Sequence, residues 1–258
     1  MQKFDRIEKK LERKFGKPEK VFKTAEDRKI CSEVFDKSTL LTLYNLVNRK
    51  KIDTVNGPVS TGKEANIFRA YKNDNIFALK IYRIATSDFR SMWQYIYGDP
   101  RFSAVKKDRR HIVYIWAKKE FKNLEKAIEV GVYAPVPIEV ENNVLVMQFI
   151  GDEWGNAAPL MKDSPPKNPE KVLNLLLKFI RKLYCDANLV HADISEYNVM
   201  MMDEQPILID WGQAVTLEHP MAETFLERDI QNILRYFKNN FETIVPEEEK
   251  VLKDIRGN

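Results

Sequence analysis

The stretch LVHADISEYNVMMMDEQPILIDWGQA, Leu189 to Ala214, sets polar residues at fixed offsets among short apolar runs. His191 is followed by Asp193 two positions on and by Asn198 five after that, and Asp210 closes the run Ile207-Leu208-Ile209. A carboxylate at the end of an apolar strand is poorly placed for packing, because burying it alone is prohibitive. It is well placed to hold a cation. Taken singly, such an aspartate or asparagine is explained by a cap or a turn. The whole set in this order points instead to side chains converging on a charged ligand and its counter-ion.

A second stretch, GPVSTGKEA from Gly57 to Ala65, begins like a phosphate-binding loop but continues with Glu64 where that loop requires Ser or Thr. The residues after it, Ala65 to Tyr71, are β-branched and aromatic, and Lys72 to Asn75 reads as a turn. A hairpin is therefore expected. Its returning segment puts Phe77, Leu79 and Ile81 on one face and Ala78 and Lys80 on the other, by the period-two rule.

Helical spacing is expected over Ser38–Arg49, with Ser38 as the cap, and over His111–Val130, with Gly131 as the C-cap glycine. Val136–Val140 and Val144–Ile150 read as a second hairpin, and a long helix starts at Asn168-Pro169. Between them, Gly151–Pro166 is a Gly-, Pro- and Asp-bearing linker. Strands before it and helices after it imply two lobes of different class. The 28 residues from Arg83 to Arg110 show no clear period and are too long for an ordinary connection, which marks a mobile loop or a binding arm.

With 258 residues, 44% apolar and 31% charged, the chain can bury a sizeable core. No run of 18 apolar residues and no signal-peptide pattern is present, so a cytoplasmic protein without a membrane is expected. Two distant cysteines and three histidines give neither a disulfide framework nor zinc spacing. Charge is uneven: residues 1–30 carry 11 Lys/Arg against 6 Asp/Glu, and residues 83–110 carry 7 against 3. Both stretches are candidate contacts for an anionic partner such as RNA, with solvated charged faces as the equal alternative. Trp93, Tyr95, Tyr97 and Phe102 lie among the basic residues of the second stretch, where they suit base stacking or packing of the segment itself.

The order H-x-D-x4-N, strand, D-x-G resembles the catalytic and metal-binding loops of the protein-kinase superfamily, with Asp210-Trp211-Gly212 where Asp-Phe-Gly usually stands. STGKEANIF, HADISEYN and IDWG together resemble the RIO family of atypical serine kinases, in its first subfamily. The likeness runs from about Asp53 to Phe237. It implies an α+β, protein-kinase-like bilobal fold with a small β-rich N-lobe and a reduced, mainly helical C-lobe. The implied division is an N-terminal helical extension over 1–50, an N-lobe over 51–150 with a flexible insertion at 83–110, and a C-lobe over 151–258.

The resemblance also implies ATP as substrate and Mg2+ as cofactor, with Mn2+ as a substitute. Ser60 and Lys63 would belong to the nucleotide-covering loop, and Lys80 would meet the α/β-phosphates, held in place by Glu120. Asn198 and Asp210 would ligate magnesium, and Asp193 would accept the proton of the attacking hydroxyl. The carbonyl of Gln148 and the amide of Ile150 would read the adenine edge, with Met147 behind it. His191 is read as structural. Ala192 stands where ordinary protein kinases carry an arginine, and only 46 residues follow Gly212, with no A-P-E segment. Gating by phosphorylation and a peptide platform are therefore not expected.

The leading expectation is a Mg-dependent ATP phosphotransferase or ATPase with serine autophosphorylation, and the resemblance alone implies the precursor of the small ribosomal subunit and its rRNA as partner. Two other readings stand beside it: a small-molecule kinase of the aminoglycoside or choline type, and an ATP-switched RNA-binding assembly factor with little transfer activity.

Overall fold

A computed structural model describes residues 36–85, 87–102, 108–242 and 245–257. The expectations for residues 1–30 lie outside these. The described chain divides into two compact units, one ending at Ser87 and including Ile138–Phe149, the other formed by Asp88–Pro137 and everything from Ile150 onward.

Among the described residues, the first unit holds a five-stranded antiparallel sheet and one helix. Helix α1 spans Lys37–Asn48, strands β1, β2 and β3 span Thr54–Thr61, Ala65–Lys72 and Asn75–Tyr82, and β4 and β5 span Pro137–Glu141 and Val144–Gln148. The sheet order is β1-β2-β3-β5-β4. Pro58 sits in β1 at the sheet edge, beside irregularities in the β1–β2 register, where a missing N–H costs no ladder bond. Phe68, Leu79, Ile81, Val144 and Val146 pack with Leu43 and Leu46 of α1 in one buried cluster, and Phe77 lies against it. The alternation read from the sequence thus gives the correct face. Asp36, rather than Ser38, caps α1: its Oδ1 accepts the Thr39 amide at 2.9 Å, and the Ser38 hydroxyl itself donates to Asp36.

The second unit begins where no period was legible. Helix α2 spans Phe89–Ile96, capped by Asp88, and a 3-10 turn covers Pro100–Phe102. Only Met92, Tyr95 and Ile96 of α2 are buried, too short an apolar stripe to stand out in a 28-residue stretch. Tyr95 packs between Trp116 and Phe225, with centroids 6.0 and 5.3 Å away. It is thus a packing aromatic, while Tyr97 at the helix end is 69% exposed. Helix α3, Arg109–Glu129, is capped by Asp108 and ends before Gly131, whose φ of 71° suits the turn that stops it.

Helix α4, Pro169–Cys185, starts at Asn168 as the sequence implies, its side chain accepting the Lys171 amide at 3.0 Å. Two small antiparallel pairs follow. Strand β6, Leu189–Val190, pairs with β9, Val215–Thr216, and β7, Val199–Met202, pairs with β8, Gln205–Leu208. Helices α5, Ala222–Asn240, and α6, Glu248–Arg256, complete the unit against α4.

Candidate active site

In the first unit the β1–β2 turn is tight. The Gly62 amide donates to Ala65 O at 3.0 Å, and a methyl group on Gly62 would lie 2.9 Å from that same oxygen, so only glycine fits. No helix follows Lys63; the chain goes straight into β2, which rules out the P-loop arrangement. Ser60 and Lys63 are exposed at this turn, and the Arg83 amide and Ser87 hydroxyl both donate to Glu64 O, at 2.8 and 3.2 Å.

Lys80 is only 7% exposed, with its ammonium 5.2 Å from the Tyr82 ring centre. Cross-strand pairing of Lys80 with Leu145 and of Ala78 with Met147 sets these four on the sheet face opposite α1. All four are buried. Met147 is buried, and Gln148 ends β5 exposed. Ile150 belongs to the second unit, where it is buried and its carbonyl accepts the Ala158 amide at 3.0 Å.

In the second unit, the pairing of β6 with β9 and of β7 with β8 brings out two loops side by side, 191–198 and 209–214. They are joined directly: the Ile209 amide donates to Asn198 O at 3.0 Å. The Asn198 side-chain amide donates to Asp193 O at 2.9 Å and to Asp193 Oδ2 at 2.7 Å. From the other loop, Gln213 Nε2 reaches the same Oδ2 at 3.2 Å. Asp193, Asn198 and Asp210 are all half-buried, and His191 is buried edge-on against Trp211 at 4.5 Å. Asp210 holds a left-handed backbone, φ 65°, a conformation that costs a non-glycine residue about 1 kcal/mol and recurs at functional sites.

Several positioning groups escaped the sequence reading. Asp229 of α5 is 1% exposed, and its two oxygens accept the amides of Ala192 and Ile194, each at 2.8 Å. Arg228 donates to Ala192 O and Asn232 to Ile194 O, so one helix face holds the backbone on both sides of Asp193. Burial raises the Asp229 carboxyl to about 7 against the pull of the two amide bonds. Its signal was legible in principle: Asp229 stands in the apolar stripe Phe225, Leu226, Ile230, Ile233. Glu120 of α3 accepts the Trp211 amide at 3.3 Å, and its helix neighbours Lys119 and Asn123 also face the 209–214 loop. Lys80 lies in the first unit and Glu120 in the second.

The donor set fits magnesium. With its amide nitrogen engaged by Asp193, Asn198 has its Oδ1 left as the oxygen that could meet a hard cation, and Asp210 offers a carboxylate from the adjoining loop. Mg2+ characteristically takes one or two protein oxygens, with phosphate oxygens and water in the other positions. Among the described residues, no group of three or more His, Cys, Asp or Glu is placed to hold a metal.

The RIO domain model matches residues 66–251. The chain belongs to the RIO family. Its RIO relatives include two archaeal proteins, each named RIO-type serine/threonine-protein kinase Rio1. The one from Haloferax volcanii is 43% identical over 235 residues, 91% of this chain and 80% of that protein. The one from Methanocaldococcus jannaschii is 43% identical over 230 residues, 88% and 79% of the two chains. Among solved structures, the Rio2 kinase of Chaetomium thermophilum in an ADP/Mg2+-phosphoaspartate complex aligns with a TM-score of 0.63 at 25% identity. That alignment covers 83% of this chain and 65% of the Rio2 chain. The RIO chain is accordingly an ATP-dependent atypical serine/threonine kinase with the kinase-like α+β fold. No described helix is long and apolar enough to cross a membrane.

Proposed function

We propose that the chain transfers the γ-phosphoryl group of Mg-ATP with Asp193 as base and with Asn198 and Asp210 as the magnesium ligands. The observation that supports this is the hydrogen-bonded unit Asp193–Asn198–Ile209, which joins the loop of the candidate base to the loop that carries Asp210. Bound magnesium would supply neutralisation of charge on the phosphates. Lys80 adds a fixed positive charge for the α/β-phosphates, and the Ser60 hydroxyl and Lys63 belong to the covering turn. The Gln148 carbonyl and Ile150 amide read adenine, with Met147 behind them. Asp193, its Oδ2 already oriented by two amide donors, accepts the proton of an attacking hydroxyl.

The test is ATP turnover of Asp193→Ala and Asp210→Ala, together with a crystal structure containing nucleotide and Mn2+. Loss of turnover by at least about 100-fold in Asp193→Ala is expected of a placed base. Full turnover in that variant, or a cation seated away from Asn198 and Asp210, overturns the assignment.

The phosphoaspartate of the Rio2 complex favours a second reading, in which the acceptor is a carboxylate of the site, Asp193 or Asp210. A carboxylate oxygen would attack the γ-phosphorus, the bond to ADP would break, and water would later cleave the acyl phosphate to release inorganic phosphate. The net reaction is ATP hydrolysis, as suits an ATP-switched assembly factor. Protein-bound phosphate that hydroxylamine removes supports it, and phosphate stable to hydroxylamine on serine rejects it.

The precursor of the small ribosomal subunit, met in the cytoplasm, is the proposed partner, on the family resemblance and the basic 83–110 stretch. Affinity for rRNA that falls steeply with salt would support it, and salt-independent binding would not.

A further inference from the structure

Two of the buried polar side chains that the proposed chemistry leaves unused lie together on the inner face of α3. Asn123 and Lys119 are both fully buried. Asn123 Nδ2 donates to Trp211 O at 2.8 Å and to Ala214 O at 2.9 Å. Lys119 Nζ donates to Gly212 O at 3.0 Å and also to Ala214 O. With Glu120 on the Trp211 amide, four backbone groups of the loop after Asp210 are bonded to a single helix. The loop has no slack toward that helix either, because a methyl group on Gly212 would lie 2.5 Å from Trp116 Nε1.

What turns Asn123 toward the loop is Arg101. Its Nη1 donates to Asn123 Oδ1 at 2.9 Å, which leaves the NH2 group of Asn123 pointing at the loop carbonyls. Arg101 is itself fixed by a two-point pair with Asp99, Nε to Oδ1 at 2.9 Å and Nη2 to Oδ2 at 2.7 Å. Asp99 is 2% exposed. Since a bidentate guanidinium pair sets direction as well as charge, the brace runs unbroken from the 3-10 turn through Arg101 and Asn123 to the 211–214 backbone. From there Gln213 continues it to Asp193.

We propose that Arg101 is a positioning residue of the active site: acting through Asn123, with Lys119 alongside, it holds the 210–214 loop and thereby the geometry of Asp210 and Gln213. This rests on the reading of Asp210 as a magnesium ligand. It gives the 98–102 segment a part in the reaction that neither its charge nor its aromatic residues indicate, and without contact to a substrate.

The test uses Arg101→Ala in the full chain, with Arg101→Lys as the second variant. Lysine keeps a charge for Asp99 but cannot pair with it at two points while reaching Asn123. Hydrogen exchange without nucleotide is read at the amides of Trp211 and Ala214, with Ala192 and Ile194, which Asp229 holds, as internal controls. Exchange about 10-fold faster at Trp211 and Ala214 with the controls unchanged is expected of local release. Equal acceleration at all four amides, or none, overturns the proposal. The second readout is the Mg2+ concentration for half-maximal ATP turnover, expected to rise about 10-fold, as when the partner of a metal ligand is removed. If Asp210→Ala shifts this requirement and Arg101→Ala does not, the positioning role is overturned. If neither shifts it while exchange is accelerated locally, the magnesium assignment fails and the brace stands.

Discussion

Two buried ionisable side chains of the second unit, Lys119 and Asp229, act on stability in different pH windows. Burial lowers Lys119 from 10.5 to about 7; the nearby Arg101 pushes the same way and Asp99 opposes it. Between about 7 and 10.5 the unfolded chain therefore holds a proton that the folded chain has released, and stability rises with pH across that window. The contribution is lost as pH falls toward 7. The slope from this one group is at most about 1.4 kcal/mol per pH unit. Urea unfolding at several pH values above 7 is expected to show the rise, and Lys119→Met to flatten it. Asp229, raised to about 7, works in the opposite sense: the folded chain keeps its proton between 3.8 and about 7, so its contribution is present at acid pH and lost as pH rises to 7. The two slopes do not overlap, which lets the Lys119 effect be read separately.

At the scale of elements, α3 shows how one helix serves a core and a site at once. Ile112, Trp116, Leu124 and Ala127 belong to the apolar period by which its span was legible, while Lys119, Glu120 and Asn123 are equally buried and interrupt the run of apolar residues. The contact of Trp116 with Gly212 leads to a sharp expectation. Gly212→Ala places a methyl group 2.5 to 2.9 Å from the indole ring and should cost roughly 2 kcal/mol of stability and most of the ATP turnover. Adding Trp116→Phe removes the indole atoms in question, so the double variant is expected to recover turnover relative to Gly212→Ala alone. A double-mutant cycle measures this coupling, and additive losses would show that the contact does not govern the loop.

For the molecule as a whole, the expected consequence of the site is linkage between ligand and folding. If Lys80, Asn198 and Asp210 act on one Mg-ATP, a hundredfold excess over its Kd stabilises the folded chain by about 2.7 kcal/mol. Thermal unfolding with and without Mg-ATP measures this. Lys80→Met and Asp210→Ala are each expected to remove most of the shift at the same concentration. An undiminished shift in either variant assigns the binding to other residues.

The local alphabet of the fold was legible in the residues themselves, and so were the candidate groups at its loops. Period two put Leu79 and Ile81 on one face of β3 and Lys80 on the other, Asn168-Pro169 started α4, and Asp193, Asn198 and Asp210 stood out because polar groups at fixed offsets among apolar runs have no packing role to hide behind. The sequence was silent on the braces. Asp229 lies 37 residues from the Ala192 amide it holds, and Asn123 and Lys119 bond carbonyls 88 to 95 residues away. Backbone carbonyls and amides look the same at every position of a sequence, so which of them a buried polar side chain must satisfy is settled only when tertiary packing closes water out around both.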